Sequence, residues 1–122
     1  MSRTDIEQFC WDFLLGKNTH LQAIVVAYKP ALSHIDMKCL NFTLDTFDET
    51  FQRICKVLFT TRPVQHGRIL ALLGFAIEIE VYHRTCSWYN SVILVRSVIN
   101  ALQEIDFHPD ELLLKSTSCT LL

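Results

Sequence analysis

Apolar residues recur along most of this chain at steps of three and four, the period of a helix with one buried face. Ile6, Phe9, Cys10, Phe13 and Leu14 make the first such stripe. Thr4-x-x-Glu7 has the capping-box pattern at its start, and Gly16 and Asn18 are stop signals at its end. A second helix is predicted from Thr19, with Gln22 at the capping-box position and Leu21, Ile24, Val25 and Tyr28 sharing a face. Pro30 ends it or opens the next turn. From Ala31 to Leu44 no period is clean; Leu32, Ile35, Met37, Cys39 and Leu40 suit a short helix and loop.

The pattern sharpens at Thr46-x-x-Glu49, a third capping-box sequence, followed by the stripe Phe47, Phe51, Ile54, Cys55, Leu58 and Phe59. Thr60-Thr61-Arg62-Pro63 stops that helix. The next runs from Gln65 or His66 to Tyr82 and is apolar on nearly every side between Ile69 and Ile77. A helix hydrophobic all round is buried all round, so this one is predicted to be central. Glu78 and Glu80 point about 160° apart around it, so the helix is expected to leave the core there. Ser87–Ile105 reads as a further helix, with Trp88, Val92, Val95, Ile99 and Leu102 as its stripe, broadened by Ile93, Leu94 and Val98. His108-Pro109-Asp110 opens a last short helix carrying Leu112, Leu113 and Leu114. The expected architecture is an all-α bundle over residues 1–115 around a central hydrophobic helix at about 66–82, with a frayed tail at 116–122.

One charge breaks the apolar pattern. Arg68 stands at the head of the central run, and no acidic residue occupies the nine positions after it. A cation in the first turn of a helix opposes the helix dipole. Its partner is therefore remote in the fold or on another molecule.

Composition narrows the classes. Half of the 122 residues are hydrophobic, which is ample for one core, and three Gly and three Pro are too few for a many-turned β-sandwich. A formal charge of −2 gives no electrostatic case for nucleic acid or an anionic membrane. Cys10, Cys39, Cys55, Cys86 and Cys119 are odd in number and widely spaced, and the polar start Thr4–Glu7 is no secretory signal. Reduced, buried thiols in a cytosolic protein are the expectation. Ile69–Ile77 is far short of the roughly 20 residues of a membrane span, and Lys115, Ser116 and Thr117 interrupt the apolar tail, so no membrane insertion is expected.

A central apolar helix opening on Gly67-Arg68-Ile69 resembles the Bcl-2 family of apoptosis regulators, whose first homology motif leads from Asn-Trp-Gly-Arg-Ile/Val into its hydrophobic central helix. Phe51–Phe59, with its Leu-Phe ending, resembles the helix before that motif, and Phe9–Leu14 resembles the first helix; together the likeness spans about residues 5–105. Gln65-His66 stands where the family has Asn-Trp, and neither the second homology motif nor the membrane anchor is recognisable. That shortened pattern looks more like the family's viral members, which would act in the host cytoplasm and reach mitochondria through their partners.

The resemblance implies a binding module that inhibits apoptosis by holding the amphipathic death-ligand helix of pro-apoptotic relatives in a surface groove. Arg68 would pair with the ligand's aspartate, which suits its planar, permanently charged fork. Gly67 before it lets another backbone come close. Gln65 would bond the ligand where the family uses Asn. Ile54, Leu58, Leu70, Ala71 and Phe75 would form the groove floor, and Phe42, Leu44 and Phe47 the opposite wall. The bland reading of the same residues is an internal Arg68 contact and ordinary core. A related alternative is a viral scaffold of the same fold with a closed groove that blocks innate immune signalling through other surfaces; Trp11 and Tyr89 could serve such contacts, and a homodimer could cover the groove.

Enzyme chemistry finds little foothold. His83 and Cys86 lie three apart, but nothing orients the imidazole and further zinc ligands of suitable spacing are missing. There is no Gly-rich phosphate loop and no HExxH. Glu78 and Glu80 face opposite ways, so they make no paired-carboxylate site. No catalysis, metal or cofactor is expected.

Overall fold

In the computed structural model, residues 3–28, 40, 42–61, 65–105 and 107 are described, and five helices account for most of them, with no strand among the described residues. They are α1 (Arg3–Leu14), α2 (Thr19–Tyr28), α3 (Phe47–Thr60), α4 (Gln65–His83) and α5 (Ser91–Glu104). The short helix and loop expected within 31–39, and the last helix and tail expected beyond 107, lie outside the described residues.

α1, α3 and α4 bury the faces their spacing predicts, and α2 buries Leu21 and Val25 of its face. Ile6, Cys10 and Phe13 of α1 and Leu21 and Val25 of α2 are closed to solvent, with Phe9, Leu14 and Ile24 half-buried at the margins. Phe47, Phe51, Cys55 and Leu58 form the buried stripe of α3. In α4 every residue from Ile69 to Ala76 is buried, which makes it the central helix. It packs against α2, α3 and α5, while α1 lies on α5 and touches α2. Towards its end the helix is covered on one side only: Ile79 and His83 are buried, Glu78 and Glu80 are half-buried, and Val81 and Tyr82 are exposed.

The helix ends differ from expectation. α1 begins at Arg3, so Thr4 lies inside its first turn rather than ahead of it. It stops in a Schellman arrangement: Gly16 has φ 78°, its N–H reaches the Phe13 carbonyl at 3.1 Å, and the Lys17 N–H reaches the Asp12 carbonyl at 2.9 Å. Asn18, not Thr19, caps α2, its Oδ1 accepting from the Leu21 N–H at 3.1 Å. Gln22 does not close a capping box; its amide donates back to the Phe13 carbonyl at 3.0 Å, tying α2 to the end of α1. Thr46 makes no side-chain cap on α3, because its hydroxyl pairs with that of Thr43 at 2.6 Å. α5 starts at Ser91, four residues later than predicted, because Asn90 caps it by accepting from the Ile93 N–H. Trp88 therefore precedes the helix, and Val92 is 43 % exposed rather than part of the stripe.

Candidate functional site

Two helix ends converge on the first turn of α4. The last four carbonyls of a helix have no amide four residues on to receive, so each end carries surplus acceptors and partial negative charge. At the end of α3 the Val57 carbonyl accepts from the Thr61 N–H at 3.2 Å, and Leu58 from the Thr61 hydroxyl at 3.0 Å. The Phe59 carbonyl accepts from Arg68 Nε at 3.1 Å. At the end of α5 the Ile105 carbonyl accepts from the Gln65 amide at 2.6 Å. A backbone carbonyl nine residues away is thus among the partners that Arg68 finds within the fold. The Arg68 cation opposes the dipole of α4 but complements that of α3. Gln65, Gly67 and Arg68 are all half-buried.

The other predicted site residues divide sharply. Leu58, Leu70, Ala71, Phe75 and Phe47 are at most 3 % exposed, and Phe42 is 8 % exposed. These side chains are buried in the core in this structure. Ile54 is half-buried, and Leu44, just ahead of α3, is 56 % exposed. Val57, on the same face of α3 as Ile54, is 60 % exposed and escaped the periodic reading because it lies off the buried stripe. Phe42 and Phe47, read as one wall, do meet, with ring centroids 4.8 Å apart. They also join the floor: Phe42 reaches Phe75 at 6.5 Å, and Phe51 stacks on Phe75 at 5.4 Å.

A second polar constellation sits where α4 hands over to α5. Glu80 accepts a hydrogen bond from the Tyr89 hydroxyl and one from the Ser91 hydroxyl, which lies 2.8 and 3.1 Å from the two carboxylate oxygens. Burial, and then Glu80 beside it, push the Tyr89 phenol well above its ordinary value. His83 is buried among Phe42, Tyr82, Trp88 and Tyr89, and its Nδ1 meets the Ile79 carbonyl at 3.1 Å, which requires the proton on that nitrogen. Cys86 meets His83 through the backbone, its N–H on the His83 carbonyl at 2.9 Å. This arrangement holds the α4–α5 turn. Tyr89 donates to Glu80, and Trp11 and Tyr89 are both half-buried against the core.

Among the described residues no cluster of three or more His, Cys, Asp or Glu side chains could hold a metal, and no helix is long and apolar enough to cross a membrane. An open hollow of about 360 Å³ lies where α1 passes to α2, lined by Phe9, Asp12, Lys17, Asn18, Thr19 and His20. Its polar lining is mixed in charge and remote from Arg68 in sequence. No protein-family model, no curated protein and no solved structure matches this chain.

Proposed function

We propose that this chain is a protein-binding module that captures an amphipathic helix beside Arg68, and that its ligand is the death-ligand helix of pro-apoptotic Bcl-2 relatives, sequestered in the host cytoplasm to inhibit apoptosis. The observation that carries the reading is the setting of Arg68. It is half-buried at the head of the most deeply buried helix, directly after Gly67 and against the end of α3. An arginine so placed is desolvated enough to favour a carboxylate strongly and near enough to the surface to meet one. The half-buried Ile54 and the exposed Val57 and Leu44 supply apolar surface on and before α3 for the ligand's apolar face. The order of the five helices, with the most deeply buried in the fourth place after Phe51–Phe59, is compatible with the order that the resemblance implies.

Truncating one member of a buried charge pair costs on the order of 2–5 kcal/mol of binding. Arg68→Ala is therefore expected to weaken binding of a fluorescent death-ligand peptide by at least about tenfold. Because the same side chain bonds the Phe59 carbonyl, the variant also loses about 1–2 kcal/mol of stability. Titrations are run well below its melting point. Unchanged affinity in the variant, or a panel of peptides none of which binds wild type, would sink the reading.

The burial of Leu58, Leu70, Ala71 and Phe75 favours a second reading, a scaffold of this shape that works through its outer surface with the groove shut. A folded monomer that binds no peptide, or a dimer in sedimentation that peptide does not dissociate, is the result that reading expects.

A further inference from the structure

We propose that the open hollow where α1 passes to α2 is a docking site for this chain's own segment 110–115, which seats Leu112, Leu113 and Leu114 against Phe9, between the charges of Asp12 and Lys17. Docking there involves neither Arg68 nor the end of α3. The walls of the hollow are fixed from within. The Gly16 N–H meets the Phe13 carbonyl at 3.1 Å, the Lys17 N–H meets the Asp12 carbonyl at 2.9 Å, and Asn18 Oδ1 accepts from the Leu21 N–H at 3.1 Å. The Asp12 carboxylate accepts from the Gln8 amide at 2.9 Å. The site is thus built in advance, and an occupant is spared the cost of ordering it. Its volume of about 360 Å³ admits a few side chains rather than a whole helix, which is about 10–12 Å across.

The place where the chain passes Phe107 selects the occupant. Phe107 is 1 % exposed, its N–H bonds the Leu102 carbonyl at 3.0 Å, and its ring centroid lies 5.2 Å from that of Phe9. Phe9 is also the apolar wall of the hollow, so the next residues start beside it. Residues 108–122 lie outside the described residues. Leu112 follows Phe107 by five positions, a span of about 8 Å as helix and about 17 Å when extended. A segment on so short a tether meets the site at an effective concentration on the order of millimolar, whereas a second copy must supply its segment from solution. Three adjacent leucines gain by leaving water, and half-buried Phe9 offers apolar surface within their reach. The charges fit as well. Asp110 and Glu111 precede the leucines and Lys115 follows them; the hollow offers Lys17 ahead of the positive end of the α2 dipole, and Asp12 on α1.

Methyl NMR on the full chain tests this. Nuclear Overhauser effects are expected from the methyls of Leu112, Leu113 or Leu114 to the Phe9 ring and the Thr19 methyl. Leu112→Ser, Leu113→Ser and Leu114→Ser together should shift the Lys17, Thr19 and His20 amides and leave those of α4 in place. A peptide of residues 108–122 added to that variant should return the shifted signals towards wild type. It should bind the variant at least about tenfold more tightly than it binds wild type, whose hollow is filled. Lys17→Glu should lower the peptide's affinity for the serine variant about two- to fivefold, the worth of one exposed ion pair, and a peptide carrying Asp110→Lys and Glu111→Lys should recover it. The absence of any Overhauser effect at Phe9 and Thr19, or equal peptide binding by wild type and the serine variant, overturns the proposal. So does a leucine contact on another face. Effects seen only between differently labelled copies assign the hollow to a second chain and overturn the tethered contact.

Discussion

At the scale of single residues, Arg68 shows what a sequence can and cannot display. The absence of an acid near it is legible, and so is its conflict with the dipole of its own helix. One acceptor it finds is a main-chain oxygen of Phe59, which no side-chain pattern advertises. The cysteines were easier. Their scatter through apolar stripes pointed to packing, and Cys10 and Cys55 are each 1 % exposed. Burial, with the charge of Glu7 adding to it, pushes the Cys10 thiol up from 9.0 to about 12. Burial raises Cys55 as well, with Asp48 and Glu104 contributing. A thiol whose pKa is higher in the fold than in the unfolded chain keeps its full contribution below about pH 9, and that contribution is lost as pH rises towards 12. The melting temperature should fall across that window, and the fall should be shallower in Cys10→Ala, whose overall stability is lower. An unchanged slope in the variant would show that other groups dominate the alkaline limb. Site-resolved labelling at pH 8 should modify the half-buried Cys86 before Cys10 or Cys55.

At the scale of elements, stripes were legible and ends were not. The burial of α3 and α4 follows from apolar spacing alone, because a packed helix needs only a consistent face and any neighbour to cover it. A cap depends on where one hydroxyl or amide points in three dimensions, and nearby groups compete for it. Thr46 matches the capping pattern yet pairs with Thr43, whereas Asn90, between Tyr89 and Ser91 and outside any capping-box pattern, accepts from the Ile93 N–H at 3.3 Å. The two sites therefore predict opposite outcomes in thermal denaturation. Asn90→Ala should cost about 1 kcal/mol, the usual worth of an N-cap, and Asn90→Asp should restore most of it. Thr46→Ala should change stability by less than about 0.5 kcal/mol, as exposed positions away from special features do. A larger loss at Thr46 than at Asn90 would mean that the hydroxyl pair, not the cap, governs helix starts in this chain. The shift of α5 to Ser91 has the same origin: once Asn90 ends the turn, Trp88 and Tyr89 are left to pack around His83 instead of continuing the stripe.

At the scale of the whole molecule, the ambiguity between core and groove floor is physical. Both environments ask for Leu, Ala and Phe at the same helical spacing, and only the third dimension decides whether a neighbour or a ligand covers them. Here Leu58, Leu70, Ala71 and Phe75 are covered, and Phe75 is further engaged by Phe51 and Phe42. A ligand helix that uses this floor must bind a state in which α3 has moved from α4. Its apparent affinity is then the intrinsic one reduced by the fraction of molecules open. At an open fraction of about 1 %, a nanomolar site would register near 100 nM. Kinetics expose the same step. In stopped-flow mixing, the observed rate should rise with peptide concentration and level off at the rate of opening. Urea well below the unfolding transition should raise that plateau by favouring separation of the helices. A preformed groove would instead give a rate linear in peptide, with a slope of about 10⁵–10⁷ M⁻¹s⁻¹ and no plateau. Linear kinetics with tight binding would mean that the floor closed in this structure is not the surface the ligand uses, and would move the search to the apolar surface that is already open, at Leu44, Ile54 and Val57.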